Sequence, residues 1–216
     1  MITGGVHQGQ PVYAAGKPLA EAKGALILLH GRGASAQDIL SLAAELYHPD
    51  LAYLAPQAAG HTWYPNSFLM PLAQNEPYLS SALQRIGEVV AQVEAAGIPA
   101  ERMILGGFSQ GACLSSEFVA RNARRYGGLL VFSGGLIGPP GTPRTYAGAL
   151  AETLIFLGCS DVDSHIPKER VTESADVFRR LGAQVTAKLY PNLGHTIVAD
   201  ELDHARQIVA AVMQEA

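Results

Sequence analysis

The sequence predicts an α/β fold in which a mostly parallel central sheet carries helices on both faces. The first buried segment, residues 24–30, is a continuous apolar run rather than an alternating one. A strand of this kind is covered on both sides, as in a parallel sheet. Strand-like and helix-like segments then alternate to the C-terminus, which indicates right-handed βαβ units. The chain has 216 residues, enough for one sizeable core, so we expect a single domain over residues 1–216.

The remaining elements follow in a regular order. Residues 12–19 contain Gly16 and Pro18 and fit a hairpin at the edge of the sheet. Further strands are expected where short apolar runs end at turn residues, over 51–55, 102–108, 128–133, 153–158 and 184–190. Helices are expected where apolar residues recur at helical spacing, over 36–46, 79–96, 110–124, 168–181 and 199–214. In such sheets the chemistry lies beyond the carboxyl ends of the strands, so the loops that follow the strands are the place to search.

Composition excludes several classes of function. The net charge of -4 shows no basic balance, so nucleic acid is not an expected partner. Cys113 and Cys159 lie on separate predicted elements and form no CxxC pair, which predicts two buried free thiols. The first twelve residues lack a signal-peptide pattern, and no apolar run reaches transmembrane length. We therefore expect a cytoplasmic protein without integral membrane association.

Residues 107–111 read G-x-S-x-G, with Ser109 between a predicted strand and a predicted helix. A serine on such a turn adopts a strained backbone with positive φ. Gly107 and Gly111 remove the clash between the residues that flank it. The turn also directs the N–H of Gln110 and the start of the helix at a reacting carbonyl. This context predicts a nucleophile at Ser109; the alternative is a serine in an ordinary glycine turn.

The loop His-Gly-Arg-Gly at residues 30–33 closes the first buried strand. At this place we expect the second donor to an oxyanion, the backbone N–H of Arg32. Gly31 to Ala36 also fits the dinucleotide-binding pattern G-x-G-x-x-A. That pattern requires an acidic residue about twenty positions on, at the end of the second strand. Asp50 precedes its strand instead, which disfavours a cofactor.

A general base and an acid are expected on later loops, in the order Ser, Asp or Glu, His. His195 follows the last predicted strand and can take the proton of Ser109. Two carboxylates follow the preceding strand. We favour Asp163, four residues before the proline that starts the next helix, over Asp161, which lies nearer the strand end.

The other histidines and the acidic cluster have plainer interpretations. Asp161, Asp163 and His165 could suggest a metal site, but no HExxH or paired cysteine motif supports one. We interpret Asp161 and His165 as loop-stabilising hydrogen-bonding residues and expect no bound metal. His61, in the long loop, could line the site. Surface positions are expected for His7, His48 and His204.

Together these motifs resemble the phospholipase/carboxylesterase family, which includes the acyl-protein thioesterases. The matching segments, from about residue 24 onward, are Leu29–Gly33, Gly107–Gly111, the turn from Asp163 to Pro167, and Gly194 with His195. The resemblance implies a compact α/β-hydrolase fold without a separate cap domain. It implies ester hydrolysis without a metal or organic cofactor. It also implies that Arg32 and Gln110 are the oxyanion donors and that Trp63 and Tyr64 lie beside the acyl site.

The expected function is that of a serine carboxylesterase that hydrolyses short- to medium-chain esters through an acyl-enzyme. An apolar wall for the acyl group is expected from Trp63, Tyr64, Phe68, Leu69 and Met70. For each of these residues, packing of the loop onto the body is the alternative. The competing functions are an acyl thioesterase or lysophospholipase with the same triad, and a non-catalytic member of the fold that binds a small ligand. The expected partner is a small-molecule ester. The sequence does not determine the oligomeric state, and a homodimer is one alternative.

Overall fold

The computed structural model describes residues 5–214 and contains a seven-stranded sheet. The strands are β1 (Val12–Gly16), β2 (Gly24–Leu29), β3 (Leu51–Pro56), β4 (Met103–Phe108), β5 (Gly128–Phe132), β6 (Leu154–Ser160) and β7 (Gln184–Tyr190). Their order across the sheet is β1-β3-β2-β4-β5-β6-β7. Only β1 runs antiparallel to its neighbour. The predicted α/β class with a mostly parallel sheet is confirmed.

The helices match the predicted segments with two local differences. They are α1 (Ala36–Leu40), α2 (Leu42–Glu45), α3 (Tyr78–Ala95), α4 (Gln110–Arg121), α5 (Lys168–Arg180) and α6 (Ala199–Gln214). The predicted helix over 36–46 is interrupted at Ser41, whose hydroxyl donates to the Asp38 carbonyl at 2.7 Å and competes with helical pairing. Helix α4 stops three residues early because the Asn122 side chain donates to the Phe118 carbonyl at 2.9 Å. Among residues 5–214, no helix is long and apolar enough to cross a membrane.

Strand β1 lies at the edge of the sheet, but the predicted hairpin is wrong. β1 pairs with β3, with Val12 opposite Pro56 and Gly16 opposite Ala52. β2 already has β3 on one side and β4 on the other. No edge of β2 is therefore left for the strand that precedes it.

Two hydrophobic cores lie on opposite faces of the sheet. In β2, Ala25, Ile27 and Leu29 face one core, which is shared with α3, α4 and α5. Leu26 and Leu28 face the other core, which is shared with α1, α2 and α6. All five side chains are fully buried, as a strand with helices on both faces requires. The predicted buried free thiols, Cys113 and Cys159, are also confirmed.

The parallel strands end at one edge of the sheet, and this edge positions the site. β2 and β5 are the neighbours of β4, while β6 and β7 follow on the far side. The loops that leave β2, β4, β6 and β7 carry all of the residues predicted for the triad and the oxyanion donors.

Candidate active site

Ser109 occupies the sharp turn between the end of β4 and the start of α4. Its backbone angles are φ 56° and ψ −118°, a sparsely populated region that costs about 1–3 kcal/mol for a residue with a side chain. Two backbone hydrogen bonds hold the turn. The Ser109 N–H donates to the Phe132 carbonyl at 3.0 Å, and the Ser109 carbonyl accepts from the Cys113 N–H at 3.0 Å. The residue lines a cavity of about 640 Å³ at the carboxyl edge of the sheet.

The two glycines of the turn allow a close approach between three chain segments. A Cβ atom on Gly107 would lie 2.5 Å from the Leu29 carbonyl oxygen and 2.7 Å from the Gly111 carbonyl carbon. A Cβ atom on Gly111 would collide with the same Leu29 carbonyl and lie 2.7 Å from that of His30. The glycines therefore relieve the predicted clash across the turn. They also leave room for the end of β2 to pack against the turn.

The loop after β2 lies directly against Ser109. A Cβ atom on Gly31 would be 3.6 Å from the Cβ atom of Ser109. Arg32 and Gln110 line the same cavity as Ser109. The structure thus brings together the residues that the sequence singles out as nucleophile and oxyanion donors.

Buried His30 anchors this loop. Its Nδ1 lies 2.8 Å from the Gly31 carbonyl oxygen, and its Nε2 accepts a hydrogen bond from the Ala58 N–H at 3.1 Å. Burial lowers the pKa of His30. A neutral ring with one donor and one acceptor nitrogen satisfies both contacts.

Asp163 and His195 form the pair expected beside the nucleophile. His195 Nδ1 lies 2.7 Å from Asp163 Oδ2, which leaves Nε2 of a half-buried ring in the cavity that Ser109 lines. The Asp163 carboxylate is fully buried and also accepts from the N–H groups of His165 and Ile166 at 2.8 and 3.0 Å. Burial alone would raise the pKa of Asp163, but the hydrogen bonds from His195 and the two N–H groups outweigh it, and the pKa is lowered. The carboxylate is therefore charged where it meets the imidazole.

Asp161 serves the neighbouring loop. Its Oδ1 accepts from the Asn192 N–H at 2.9 Å, three residues before His195. The predicted loop-stabilising role agrees with this contact. Across residues 5–214, no group of three or more His, Cys, Asp or Glu side chains is arranged to hold a metal ion.

The dinucleotide interpretation lacks its acidic partner at the site. Asp50 pairs with Lys23 at 2.8 Å at the amino end of β3, whereas the Gly31 to Ala36 loop lies at the carboxyl edge. Gly31 of that loop lies against Ser109 instead.

Two of the five residues predicted to form the acyl wall line the cavity. These are Tyr64 and Phe68. Trp63, Leu69 and Met70 are not among the residues that line it. Leu69 is partly buried and packs against the hydrophobic core, and Met70 is 39% exposed.

Trp63 is fully buried beneath the site. Its indole N–H donates to the His30 carbonyl at 3.0 Å, and its ring centroid lies 5.1 Å from that of His30. Its carbonyl lies 2.9 Å from Nε2 of His7. His7 is fully buried, so its predicted surface position is wrong. Trp63 is thus buried beneath residues 30–33, which we call the oxyanion loop after their proposed role. Its side chain is not available to contact an acyl chain.

The sequence also matches a known protein family. The model of the phospholipase/carboxylesterase family matches residues 13–213. The chain belongs to this family.

Curated and solved relatives agree with the assignment to the phospholipase/carboxylesterase family. Acyl-protein thioesterase 1 of Debaryomyces hansenii is 26% identical over 94% of this chain and 96% of that protein. Acyl-protein thioesterase 1 of Gibberella zeae is 33% identical over 53% of this chain and 50% of that protein. The crystal structure of a phospholipase/carboxylesterase from Dyadobacter fermentans superposes with a TM-score of 0.89 at 43% identity, covering 95% of this chain and 97% of that one. The present family member is an α/β-hydrolase that acts on esters.

Sequence patterns did not reveal how this carboxylesterase family member holds the segment 63–66 beside the cavity. The Gln110 side chain accepts from the Trp63 N–H at 2.9 Å and donates to the Tyr64 carbonyl at 2.8 Å. The Arg32 guanidinium donates to the Pro65 carbonyl at 2.8 Å and to the Asn66 carbonyl at 2.7 Å. These are the contacts of the two predicted oxyanion residues. The segment 63–66 is therefore tied to the oxyanion loop and to α4.

Several further cavity residues were not assigned to the site from the sequence, and four of them bear on its chemistry. They are Phe108, Cys113, His165 and Ile166. His165 meets the His195 ring edge-on, with ring centroids 4.9 Å apart. Burial raises the pKa of Cys113 to about 12, so its thiol stays neutral and forms part of an apolar wall. Phe108 was detectable in principle, since it precedes the nucleophile. His61, by contrast, contacts the Ala34 carbonyl at 2.9 Å rather than lining the cavity.

The contacts of the two aspartates predict different effects of their removal. Asp163→Asn loses the charged partner of His195 Nδ1 and should lower kcat by about 10⁴-fold. Asp161→Asn keeps an oxygen that can accept from Asn192 and should lower kcat far less. Steady-state kinetics on one activated ester measures both. The opposite ranking, with both variants folded by circular dichroism, would move the acid to Asp161.

The Arg32 side chain can be tested separately from its backbone N–H. Arg32→Met keeps the N–H but loses the hydrogen bonds to Pro65 and Asn66. The segment 63–66 should therefore become more mobile. We expect KM for hexanoyl and octanoyl esters to rise by about 3- to 10-fold, with kcat on acetate esters changing less than about 2-fold. Arg32→Lys, which lacks the planar fork, should be intermediate. An equal loss on acetate and octanoate esters would place the side chain in the chemical step instead.

Proposed function

We propose that this chain is a serine carboxylesterase that hydrolyses short- to medium-chain carboxylic esters, with Ser109, Asp163 and His195 as its triad. The observation that carries the proposal is the 2.7 Å contact between His195 and the buried Asp163, beside a serine held in a strained turn in the same cavity. Strained residues of this kind concentrate at functional sites. A buried carboxylate also orients the imidazole and stabilises its charged form.

In the first step, Ser109 Oγ attacks the ester carbonyl while His195 Nε2 takes its proton. Because Nδ1 faces Asp163, Nε2 is the nitrogen available for this transfer. The carbonyl oxygen becomes an oxyanion, which the backbone N–H groups of Arg32 and Gln110 stabilise. Gln110 is the first residue of α4, so its N–H has no partner within the helix and lies at the positive end of the helix dipole.

The tetrahedral intermediate then collapses. The carbon–oxygen bond to the alcohol breaks, and His195 gives its proton to the leaving oxygen. A water molecule enters, loses a proton to His195, and attacks the acyl-enzyme at the same carbonyl carbon. The carboxylic acid leaves, and the proton returns to Ser109.

An acyl thioesterase is the second candidate function. The relatives from Debaryomyces hansenii and Gibberella zeae carry that name, and the same triad would act on a thioester. Matched oxygen and sulfur esters of one acyl group separate the two functions through their kcat/KM ratio. A thioesterase for long acyl chains would also need an apolar groove beyond the cavity that Tyr64 and Phe68 line.

The first test of the proposed function is chemical labelling of the nucleophile. A fluorophosphonate should label the parent protein at Ser109, because only an activated serine reacts readily. Ser109→Ala should abolish both labelling and hydrolysis, and His195→Ala should lower kcat by about 10⁴- to 10⁶-fold. A folded Ser109→Ala variant that retains more than about a tenth of the parental activity would refute the assignment. Failure of the parent to label would favour a non-catalytic ligand-binding member.

The second test uses acyl length on p-nitrophenyl esters. Each methylene that enters the cavity contributes about 0.8 kcal/mol, or about 4-fold in kcat/KM, until the pocket is filled. We expect kcat/KM to rise over the first few carbons and to fall by about C10 to C12. Phe68→Ala enlarges the cavity and should move the optimum of kcat/KM to longer acyl chains. Met70→Ala, in the same loop but outside the cavity, is the matched control and should leave the profile unchanged.

A steady rise through palmitoyl esters would contradict the proposed acyl range and favour the long-chain thioesterase. Trp63→Ala does not test the acyl range, because Trp63 is buried beneath the site and its truncation should cost about 3–5 kcal/mol of stability. A single domain over residues 1–216, a cytoplasmic location and a homodimer stay predictions from the sequence.

A further inference from the structure

A second, smaller cavity lies on the other side of the oxyanion loop. Its volume is about 180 Å³, roughly that of six water molecules in the liquid. The larger apolar side chains that line it come from α1, α2, the end of β4 and the loop before α6. They are Ile39, Leu42, Phe108 and Ile197. We call this cavity the α1 pocket.

The α1 pocket borders the main cavity. Gly31, Ala34 and Phe108 line both. Phe108 directly precedes Ser109, and its ring centroid lies 4.7 Å from that of His195. Ile197 follows His195 by two residues. Through Phe108 and Ile197 the pocket lies beside the segment that carries His195. The His195 ring itself lines the main cavity, as Tyr64 and Phe68 do.

The polar groups around the α1 pocket are already engaged. Asp38 Oδ2 accepts from the N–H and the hydroxyl of Ser35 at 2.7 and 2.8 Å. The nitrogens of His30 bind the Gly31 carbonyl and the Ala58 N–H. The Ser41 hydroxyl donates to the Asp38 carbonyl at 2.7 Å. An occupant would therefore meet mainly apolar side chains, with the exposed Asp38 carboxylate as the charged group on the lining.

Ester hydrolysis itself determines which part of the substrate faces this side. His195 must reach the leaving oxygen to protonate it, so the alcohol portion departs next to the imidazole. The acyl portion stays on Ser109 and extends along the remaining walls of the main cavity. An alkyl group attached to the leaving oxygen is thus brought towards Phe108 and Ile197.

We propose that the α1 pocket is an alcohol subsite that takes the short, uncharged alkyl group of the ester's leaving alcohol. This inference rests on the proposed serine esterase function and deepens it. Ile39, Leu42 and Ile197 then determine the length of alcohol that the enzyme accepts. They do so independently of the acyl wall formed by Tyr64 and Phe68.

Two substrate series test the subsite. In the first series the acyl group is acetate and the alcohol grows from methanol to hexanol. In the second series the alcohol is methanol and the acyl group grows from acetate to hexanoate. In the parent enzyme, kcat/KM in the alcohol series should rise by up to about 4-fold per methylene until the pocket is filled, and then level off.

Two variants fill the pocket from different elements. Leu42→Phe acts from α2, and Ile197→Phe acts from the loop before α6; both side chains are only partly buried, so a larger ring has room to adjust. Each should lower kcat/KM on hexyl acetate by about 10-fold relative to methyl acetate and leave the acyl series unchanged. Leu42→Ala should shift the optimum to a longer alcohol. Leu40→Phe is the matched control, because Leu40 is a partly buried residue of α1 that does not line the pocket.

The outcomes separate the subsite from the function. A flat alcohol series in the parent, or Leu42→Phe and Ile197→Phe variants that match Leu40→Phe, would refute the subsite. A change in the acyl series instead would assign the pocket to the acyl group and also overturn the proposal. Fluorophosphonate labelling of Ser109 is measured in every sample. Labelling with a flat alcohol series defeats the subsite alone, whereas an unlabelled, inactive parent defeats the serine esterase function itself.

Discussion

The carbonyl of Leu29 at the end of β2 sets the geometry of the whole site. Gly107 and Gly111 both face this carbonyl, and a Cβ atom on either would collide with it. Only with two glycines can the turn at Ser109 and the start of α4 pack directly against the neighbouring strand. This contact brings the loop after β2 beside Ser109, the proposed nucleophile. Hydrogen bonds to β5 and α4 hold the strained backbone of Ser109. The neighbouring strand and helix therefore offset the strain.

Hydrogen bonds to backbone groups hold the oxyanion loop and the segment 63–66 around this contact. His30 binds Gly31 and Ala58, and its own carbonyl accepts from the Trp63 indole. The Gln110 and Arg32 side chains then hold the backbone of residues 63–66. These hydrogen bonds fix the position of residues 63–66, which lie in a long proline-containing loop beside the cavity. Movement of this segment would disturb the residues proposed to bind the oxyanion, which links substrate fit to catalysis.

The proposed acid and base, Asp163 and His195, depend on a different feature, the order of the last two strands. β6 and β7 are neighbours with residue-by-residue register from Leu154 opposite Gln184 to Ser160 opposite Tyr190. Their following loops therefore meet. Asp161 binds the backbone of the β7 loop at Asn192, while Asp163 turns inward and receives two N–H groups before it meets His195. The two aspartates divide the tasks of fastening the loop and orienting the imidazole.

The sequence by itself determined the features that depend on residues close together in the chain. Continuous apolar runs predicted the buried strands, and the glycines around Ser109 predicted its strained turn, because both follow from local backbone sterics and burial. The partner of His195 was also expected from loop order, since the carboxyl ends of parallel strands share one edge.

The tertiary structure alone decided which side chains of a loop face the cavity. Trp63 and Tyr64 are adjacent and both aromatic, yet one supports His30 and the other lines the site. His7 is buried because it meets Trp63, a residue 56 positions away. The same limit applies to the α1 pocket, where Leu42 and Ile197 face one space from distant segments. Hydrophobicity is a property of each residue, but the direction in which a side chain packs depends on neighbours that only the folded chain supplies.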